Sequence, residues 1–152
     1  MNKSKILFAA LLVGMSAPTL AETTTYPASN CLPASNNTPY VASNVGSITN
    51  YSNNAVVGVT CTIPNVHGNN VLSSVTVYYV DNNPTYNVSC KLGPQGQTLH
   101  SSGSSPALQS FTFNSKIVSD GQGMFVSCQL PQKDTSSYPG NTELWKYTVE
   151  TP

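Results

Sequence analysis

The stretch Val126-Ser127-Cys128-Gln129-Leu130-Pro131 occurs twice more in closely similar form, as Val59-Thr60-Cys61-Thr62-Ile63-Pro64 and as Val88-Ser89-Cys90-Lys91-Leu92-Gly93-Pro94. In each copy apolar residues alternate with polar ones, the cysteine lies on the apolar phase, and a proline ends the run. Alternation with a period of two places the apolar residues on one face of a β-strand. The sequence therefore predicts three strands, each with a cysteine directed into the core.

The cysteines of the chain are Cys31, Cys61, Cys90 and Cys128. In an exported protein four cysteines are most simply two disulfides, for which three pairings exist. We favour Cys31–Cys61 with Cys90–Cys128, because the N-terminal segment needs an anchor on the nearest early strand. The main alternative is Cys61–Cys128 with Cys31–Cys90. A metal or redox site is not favoured, since no C-x-x-C pair occurs and no histidine is spaced near a cysteine.

The first 21 residues have the pattern of a bacterial signal peptide. Lys3 and Lys5 precede an apolar run from Ile6 to Val13, and Thr19-Leu20-Ala21 offers small residues for cleavage after Ala21. No second apolar run of membrane-spanning length follows, so we expect no membrane insertion once the signal is removed. The predicted destination is outside the cell, reached through the periplasm.

Charged residues make up only 8% of the chain, and arginine is absent. Removal of residues 1–21 leaves a net charge near −2, from four lysines against six carboxylates. Phosphate recognition depends on arginine and on clustered lysine, so this composition argues against nucleic acid as a partner. Serine, threonine and asparagine supply 52 of the 152 residues. Such a surface is typical of extracellular proteins, including those that bind glycans or self-associate.

Residues 22–43 are rich in threonine, proline, serine and asparagine and are interpreted as an extended N-terminal arm. Residues 44–152 contain about seven strand-like runs separated by turn residues, and no sustained helical period. We predict an all-β fold, an antiparallel immunoglobulin-like β-sandwich of about seven strands with two disulfides. The runs are Val45–Tyr51, Ala55–Ile63, Leu72–Asp81, Tyr86–Leu92, Ala107–Phe113, Gly123–Leu130 and Glu143–Glu150.

Alternation also predicts which side chains form the core. Trp145, Tyr147 and Val149 share one phase of the last strand and are expected to be buried together. The run from Val75 to Val80 is apolar on both phases, so it is either a central strand or one that carries an exposed aromatic residue.

Candidate catalytic groups are scarce. His67 or His100 could be combined with a nearby serine and Asp120 into a hydrolase triad, but no G-x-S-x-G motif supports it. The segment Asp81-Asn82-Asn83 is interpreted as a turn rather than as a calcium loop, because Pro84 follows it. We therefore expect no enzyme activity and no cofactor.

Aromatic residues are the strongest candidates for ligand contact, since eight tyrosines and Trp145 stand in a short chain with asparagine close by. The residues that we propose as candidates for ligand contact are Tyr51, Tyr78, Tyr86 and Asn87. The competing interpretation is that the aromatic residues serve the core or favour the strand conformation. The function hypothesis is a non-enzymatic binding or effector module for a glycan or a host or surface protein. The alternatives are a small hydrolase using His100 or His67, and a structural or inhibitor protein acting through a sheet edge or a protruding loop such as Gly93–Ser105.

On its V-x-C-x-[IL]-P phrases the chain resembles small Sec-exported bacterial sandwich proteins of uncharacterised families. It also resembles the small substrates that some Gram-negative bacteria release by type II secretion. The second resemblance implies that the disulfides form in the periplasm and that release outside the cell follows. Neither resemblance implies a functional residue.

Overall fold

A computed structural model describes residues 21–34, 40–42, 46–64, 71–93, 96–100, 103–114, 117–118, 123–133 and 140–152. These residues form β-strands and one short 3₁₀ turn, Ala28–Asn30. The strands are β1 (Thr23–Pro27), β2 (Leu32–Pro33), β3 (Tyr40–Ala42), β4 (Ile48–Asn50), β5 (Val57–Ile63), β6 (Val71–Leu72), β7 (Ser74–Asp81), β8 (Ser89–Gly93), β9 (Gln97–His100), β10 (Ser105–Phe113), β11 (Ile117–Val118), β12 (Met124–Leu130) and β13 (Thr142–Glu150).

The strands build two main antiparallel sheets. Sheet 1 has the order β10-β7-β13-β4-β3, and β1 pairs with β13 beside β4. Sheet 2 has the order β2-β5-β12-β8-β9, and β6 pairs with β11 separately. The buried apolar residues of both sheets belong to one continuous core. The prediction of an all-β antiparallel sandwich is confirmed.

The order of the strands is that of a jelly roll, and the immunoglobulin-like part of the prediction is wrong. Four strands of sheet 1, β4-β13-β7-β10, face four strands of sheet 2, β5-β12-β8-β9. This eight-strand arrangement is the double Greek key of jelly rolls. In an immunoglobulin domain the disulfide joins the two sheets. Here Cys90–Cys128 joins two strands of sheet 2, and Cys31–Cys61 joins β5 to the residue just before β2 of the same sheet. Alternation identified the strands but carried no information on which strands become neighbours.

The disulfides have the pairing favoured from the sequence. Cys31 is bonded to Cys61 and Cys90 to Cys128, with Cα separations of 4.1 and 4.0 Å. Cys90 lies directly opposite Cys128 in the β8–β12 ladder. Leu32 lies opposite Thr60, so one step back along β2 brings Cys31 opposite Cys61. All four cysteines are buried, so both bonds belong to the core face of sheet 2.

A tyrosine connects the two sheets through the core. The Tyr147 hydroxyl on β13 donates a 2.7 Å hydrogen bond to the carbonyl oxygen of Thr62 on β5. The ring of Tyr147 stacks on Tyr26 of β1, with centroids 5.1 Å apart. Burial, and to a lesser extent the nearby Tyr26, raises the pKa of Tyr147 to about 12.

The N-terminal arm contributes strands to both sheets. β1 pairs with β13 along its whole length, from Thr23 opposite Glu150 to Pro27 opposite Lys146. The 3₁₀ turn then carries the chain across to sheet 2, where β2 pairs with β5. β1 has polar residues on both phases, so its sequence shows no alternation that would predict a strand.

The prediction that Trp145 is buried with Tyr147 is wrong, because a bulge interrupts β13. Leu144 lies opposite Tyr79 and Lys146 opposite Tyr78, which leaves Trp145 as an extra residue. The bulge reverses the phase, so that Leu144 and Tyr147 are buried whereas Trp145 is 37% exposed. A single inserted residue of this kind leaves no mark on the apolar pattern.

Each of the seven predicted runs overlaps a strand, but the predicted number of about seven strands is wrong, because the described residues form thirteen. The additional strands are short or lie in the N-terminal arm, so they show no alternating run of their own. The run from Val75 to Val80 lies in β7, which is central in sheet 1 and carries Tyr78 on its outer face. The interpretation of Gly93–Ser105 as a protruding loop is wrong in part, because Gln97–His100 forms β9 against β8. Among the described residues no helix is long and apolar enough to cross a membrane.

Candidate functional site

One end of the sandwich gathers the connections from β4 to β5, from β7 to β8 and from β12 to β13. We call this the loop end; its described residues are 51–56, 82–88, 131–133 and 140–141. It carries three of the four residues that the sequence proposed for ligand contact. The loops are held by buried polar side chains rather than by apolar packing.

Asn50, the last residue of β4, links two of these loops. Its side-chain nitrogen lies 2.9, 2.9 and 2.8 Å from the carbonyl oxygens of Ala55, Leu130 and Pro131, so two protons are shared among three acceptors. Its side-chain oxygen accepts the backbone N–H of Ser52 at 2.8 Å. Asn50 is fully buried, and its contacts with Leu130 and Pro131 satisfy buried carbonyl groups.

The β7–β8 loop is organised by two buried side chains. The Asp81 carboxylate accepts the backbone N–H groups of Asn83 and Val88 at 3.1 and 3.0 Å. Asn83 accepts the N–H groups of Thr85 and Tyr86 at 2.8 Å and donates to the carbonyl of Gln132. Asp81 thus stabilises a turn, as the sequence predicted. Burial, followed by the negative charge of Asp81, raises the pKa of neighbouring Tyr79.

A layer of polar side chains closes the core at this end. Thr142 of β13 lies opposite Asn50 of β4. On the other side of β13, Glu143 pairs with Val80 of β7, so the preceding residue, Thr142, lies opposite Asp81. The side chains of Thr142, Asn50 and Asp81 are fully buried. The Thr142 hydroxyl has no hydrogen-bond partner among the described residues. The apolar core therefore ends in a row of hydrogen-bonding groups beneath the loops.

Two exposed tyrosines lie in the loops above this polar layer. Tyr51 follows Asn50 and is 48% exposed, and Tyr86 follows the Asn83 turn and is 52% exposed. Asn87, next to Tyr86, is also exposed. The loops that carry the two rings are both hydrogen-bonded to the segment from Leu130 to Gln132. The structure therefore brings Tyr51, Tyr86 and Asn87 to one end of the molecule.

Tyr78 belongs to a different surface, the outer face of sheet 1. It lies opposite Lys146 in the β7–β13 ladder, and the Lys146 ammonium sits 4.7 Å from the centre of its ring. This contact is a cation–π interaction that fixes the lysine over the ring. The sequence predicts that Tyr78 lies in a strand, but it does not show whether that strand face adjoins the loops that carry the other aromatic candidates.

The residues of the hydrolase alternative fall largely outside the described part of the chain. His67 and Asp120 lie there, and of His100 only the backbone in β9 is described. Within the described ranges no group of three or more histidine, cysteine, aspartate or glutamate side chains is placed to hold a metal ion. The hydrolase alternative thus stays a prediction.

No protein-family model matches the sequence, and no curated protein sequence matches it. Solved structures do match the fold. A family two carbohydrate esterase from Cellvibrio japonicus superposes with a TM-score of 0.58 at 12% identity, covering 88% of this chain and 35% of that one. The chain therefore spans about a third of the esterase.

A low-affinity xylan-binding module, CBM86, from Roseburia intestinalis superposes with a TM-score of 0.54 at 15% identity, covering 88% of this chain and 97% of the module. At these identities the likeness concerns the fold, a jelly-roll sandwich also found in a carbohydrate-binding module.

Proposed function

We propose that the protein is a secreted, non-enzymatic binding module that recognises a glycan through its loop end. The observation that carries the proposal is the pair of exposed tyrosines, Tyr51 and Tyr86, on loops hydrogen-bonded to one shared segment. A binding surface needs side chains whose positions are fixed before the ligand arrives, because ordering them on binding costs free energy. The buried Asn50, Asp81 and Asn83 provide that order.

The chemistry of the loop end fits a sugar. A tyrosine ring offers an apolar face to the C–H groups of a pyranose and a hydroxyl to its polar rim. The Asn87 amide offers both a donor and an acceptor. The low charge of the chain fits a neutral ligand better than a phosphate or a nucleic acid.

The comparisons support this choice without deciding it. The matched xylan-binding module is covered almost entirely by this chain, so a sandwich of this size is sufficient for a carbohydrate-binding module. The two disulfides fit an oxidising compartment, which supports an extracytoplasmic location. A host or surface protein as the ligand is the competing outcome.

Binding to an array of glycans, followed by calorimetry with the best oligosaccharide, tests the proposal. We expect Tyr51→Ala with Tyr86→Ala to weaken binding at least tenfold, whereas Leu32→Ala, which removes a 70% exposed side chain from the edge of sheet 2, leaves it unchanged. An array on which nothing binds, combined with one envelope or host protein retained by the immobilised protein, would overturn the proposal. Turnover of a bound glycan would overturn its non-enzymatic part.

A further inference from the structure

The outer face of sheet 1 carries a row of threonines that crosses four strands. Thr25 of β1 lies opposite Thr148 of β13, Thr148 opposite Thr76 of β7, and Thr76 opposite Thr112 of β10. The hydroxyl oxygens of Thr76 and Thr112 are 2.8 Å apart and share a hydrogen bond. With strands about 4.8 Å apart, the row extends for about 14 Å. It presents hydroxyl and methyl groups side by side at regular intervals.

The adjoining row on the same face is aromatic and cationic. In this row Tyr78 lies between Ser110 of β10 and Lys146 of β13, and Lys146 lies opposite Pro27 of β1. The bulge adds Trp145 to this surface, because Leu144 and Tyr147 on either side of the bulge are both buried. Bulges often redirect a side chain at a functional surface. The only tryptophan of the chain is thus directed outward next to Lys146, on the side of this row that is away from the threonines.

The face also carries few charges, which are those of Lys146, Glu143 and Glu150. Lys146 is fixed over the ring of Tyr78, and Glu150 accepts a 2.9 Å hydrogen bond from the Ser74 hydroxyl. A nucleic acid would need several cations here, and a protein partner would need a larger apolar area than threonine methyl groups provide. A surface of hydroxyl groups, methyl groups and aromatic rings matches the alternating O–H and C–H groups of a polysaccharide.

We infer that the outer face of sheet 1 is a second glycan-binding surface, formed by the threonine row with Trp145 and Tyr78, and that its ligand is an extended neutral polysaccharide chain. The inference rests on the proposed function but concerns a different surface, since Tyr51 and Tyr86 lie at the loop end. The loop end would hold a short segment of the glycan, and the sheet face would hold a longer stretch of chain. Binding should therefore strengthen with the length of the oligosaccharide.

The test uses amide chemical shifts during titration with cellohexaose, xylohexaose, laminarihexaose and mannohexaose, together with depletion assays on the matching insoluble polysaccharides. Thr76→Val with Thr148→Val removes two hydroxyl groups and keeps the β-branched shape that favours a strand. Thr60→Val with Thr62→Val, on the outer face of sheet 2, is the matched control. We expect shifts at Thr76, Thr112 and Thr148, and at least fivefold weaker depletion for the first variant only.

The variants separate this inference from the proposed function. Shifts on the sheet face that persist in Tyr51→Ala with Tyr86→Ala support a second surface. The inference is overturned if the amide shifts are confined to the loop end and the Thr76→Val, Thr148→Val double variant binds as well as the wild type. That result leaves the proposed function standing. No shift with any of the four hexasaccharides overturns the inference, and the array then decides the proposed function separately. Stronger, salt-sensitive binding of polygalacturonate at Lys146 would contradict a neutral ligand.

Discussion

Tyr147 of sheet 1 and Thr62 of sheet 2 are joined by a hydrogen bond of 2.7 Å that runs from one sheet to the other. Both disulfides lie within sheet 2, so no disulfide joins the two sheets. The attachment of one sheet to the other therefore depends on apolar packing and on polar contacts such as this one. Tyr147 is buried, with 3% of its surface exposed, whereas Thr62 is an exposed residue, so the contact is partly buried.

Replacement of Tyr147 by phenylalanine should lower the free energy of unfolding by about 1 kcal/mol, the net contribution of a typical buried hydrogen bond. The ring and its stack on Tyr26 are retained, so the loss reports the hydroxyl alone. Urea denaturation measures it, with Tyr86→Phe at an exposed site as the control. Equal stability of Tyr147→Phe and the wild type would contradict a role for the bond in joining the sheets.

The same hydroxyl predicts a loss of stability in alkali. The folded state holds the Tyr147 proton with a pKa of about 12, above the ordinary value of 10.0. The stabilisation is therefore complete below pH 10 and is lost as the pH rises toward 12. Between pH 9 and pH 11 we expect a loss on the order of 1 kcal/mol. The difference in pH dependence between wild type and Tyr147→Phe isolates this group, and parallel curves would contradict the prediction.

Asn50 is expected to be the most sensitive polar residue of the loop end. In Asn50→Ala the buried carbonyls of Leu130 and Pro131 lose their donor, at a combined cost of about 2–4 kcal/mol. Thermal and urea unfolding measure this cost against Asn53→Ala, which alters an exposed residue of the same loop. If Asn50→Ala lowers the free energy of unfolding no more than Asn53→Ala does, water replaces the Asn50 side-chain amide as the donor to these carbonyls.

The bulge in β13 predicts opposite outcomes for two adjacent residues. Leu144→Ala should cost about 2–5 kcal/mol, because it opens a cavity in the core. Trp145→Ala should cost less than about 1 kcal/mol, since the side chain lies on the surface. If Trp145 were buried, as alternation alone predicts, its removal would cost about 3–5 kcal/mol. Denaturant unfolding of the two variants in parallel distinguishes these cases.

Gly93 is required because the ring of Phe125 lies directly over it. The two residues face each other in the β8–β12 ladder, and a Cβ atom on Gly93 would overlap the ring of Phe125. Gly93→Ala should therefore destabilise the protein by about 1–3 kcal/mol. Combination with Phe125→Ala should relieve most of that cost. A double variant whose losses are simply additive would show that the backbone, and not the ring, demands glycine.

The sequence predicted what depends on local alternation. The three cysteine phrases became β5, β8 and β12 with the cysteines inward, and the pairing of Cys31 with Cys61 followed from the need to anchor the arm. Strand order, the bulge at Trp145 and the pairing of β1 depend on contacts between distant residues, which alternation does not encode. Of the candidate contact residues, Tyr51 and Tyr86 lie exposed at the loop end whereas Tyr78 lies on a sheet face, and their part in ligand binding stays a prediction.

The antiparallel pairing of β1 with β13 determines how this module could be attached to anything else. Thr23 lies beside Glu150, and the backbone N–H of Thr151 donates to the carbonyl oxygen of Glu22 at 2.9 Å. Both ends of the sandwich domain thus leave side by side from the pole opposite Tyr51 and Tyr86. A tether, a fused domain or a solid support joined at either end would point the tyrosines away from the attachment, toward whatever the molecule meets.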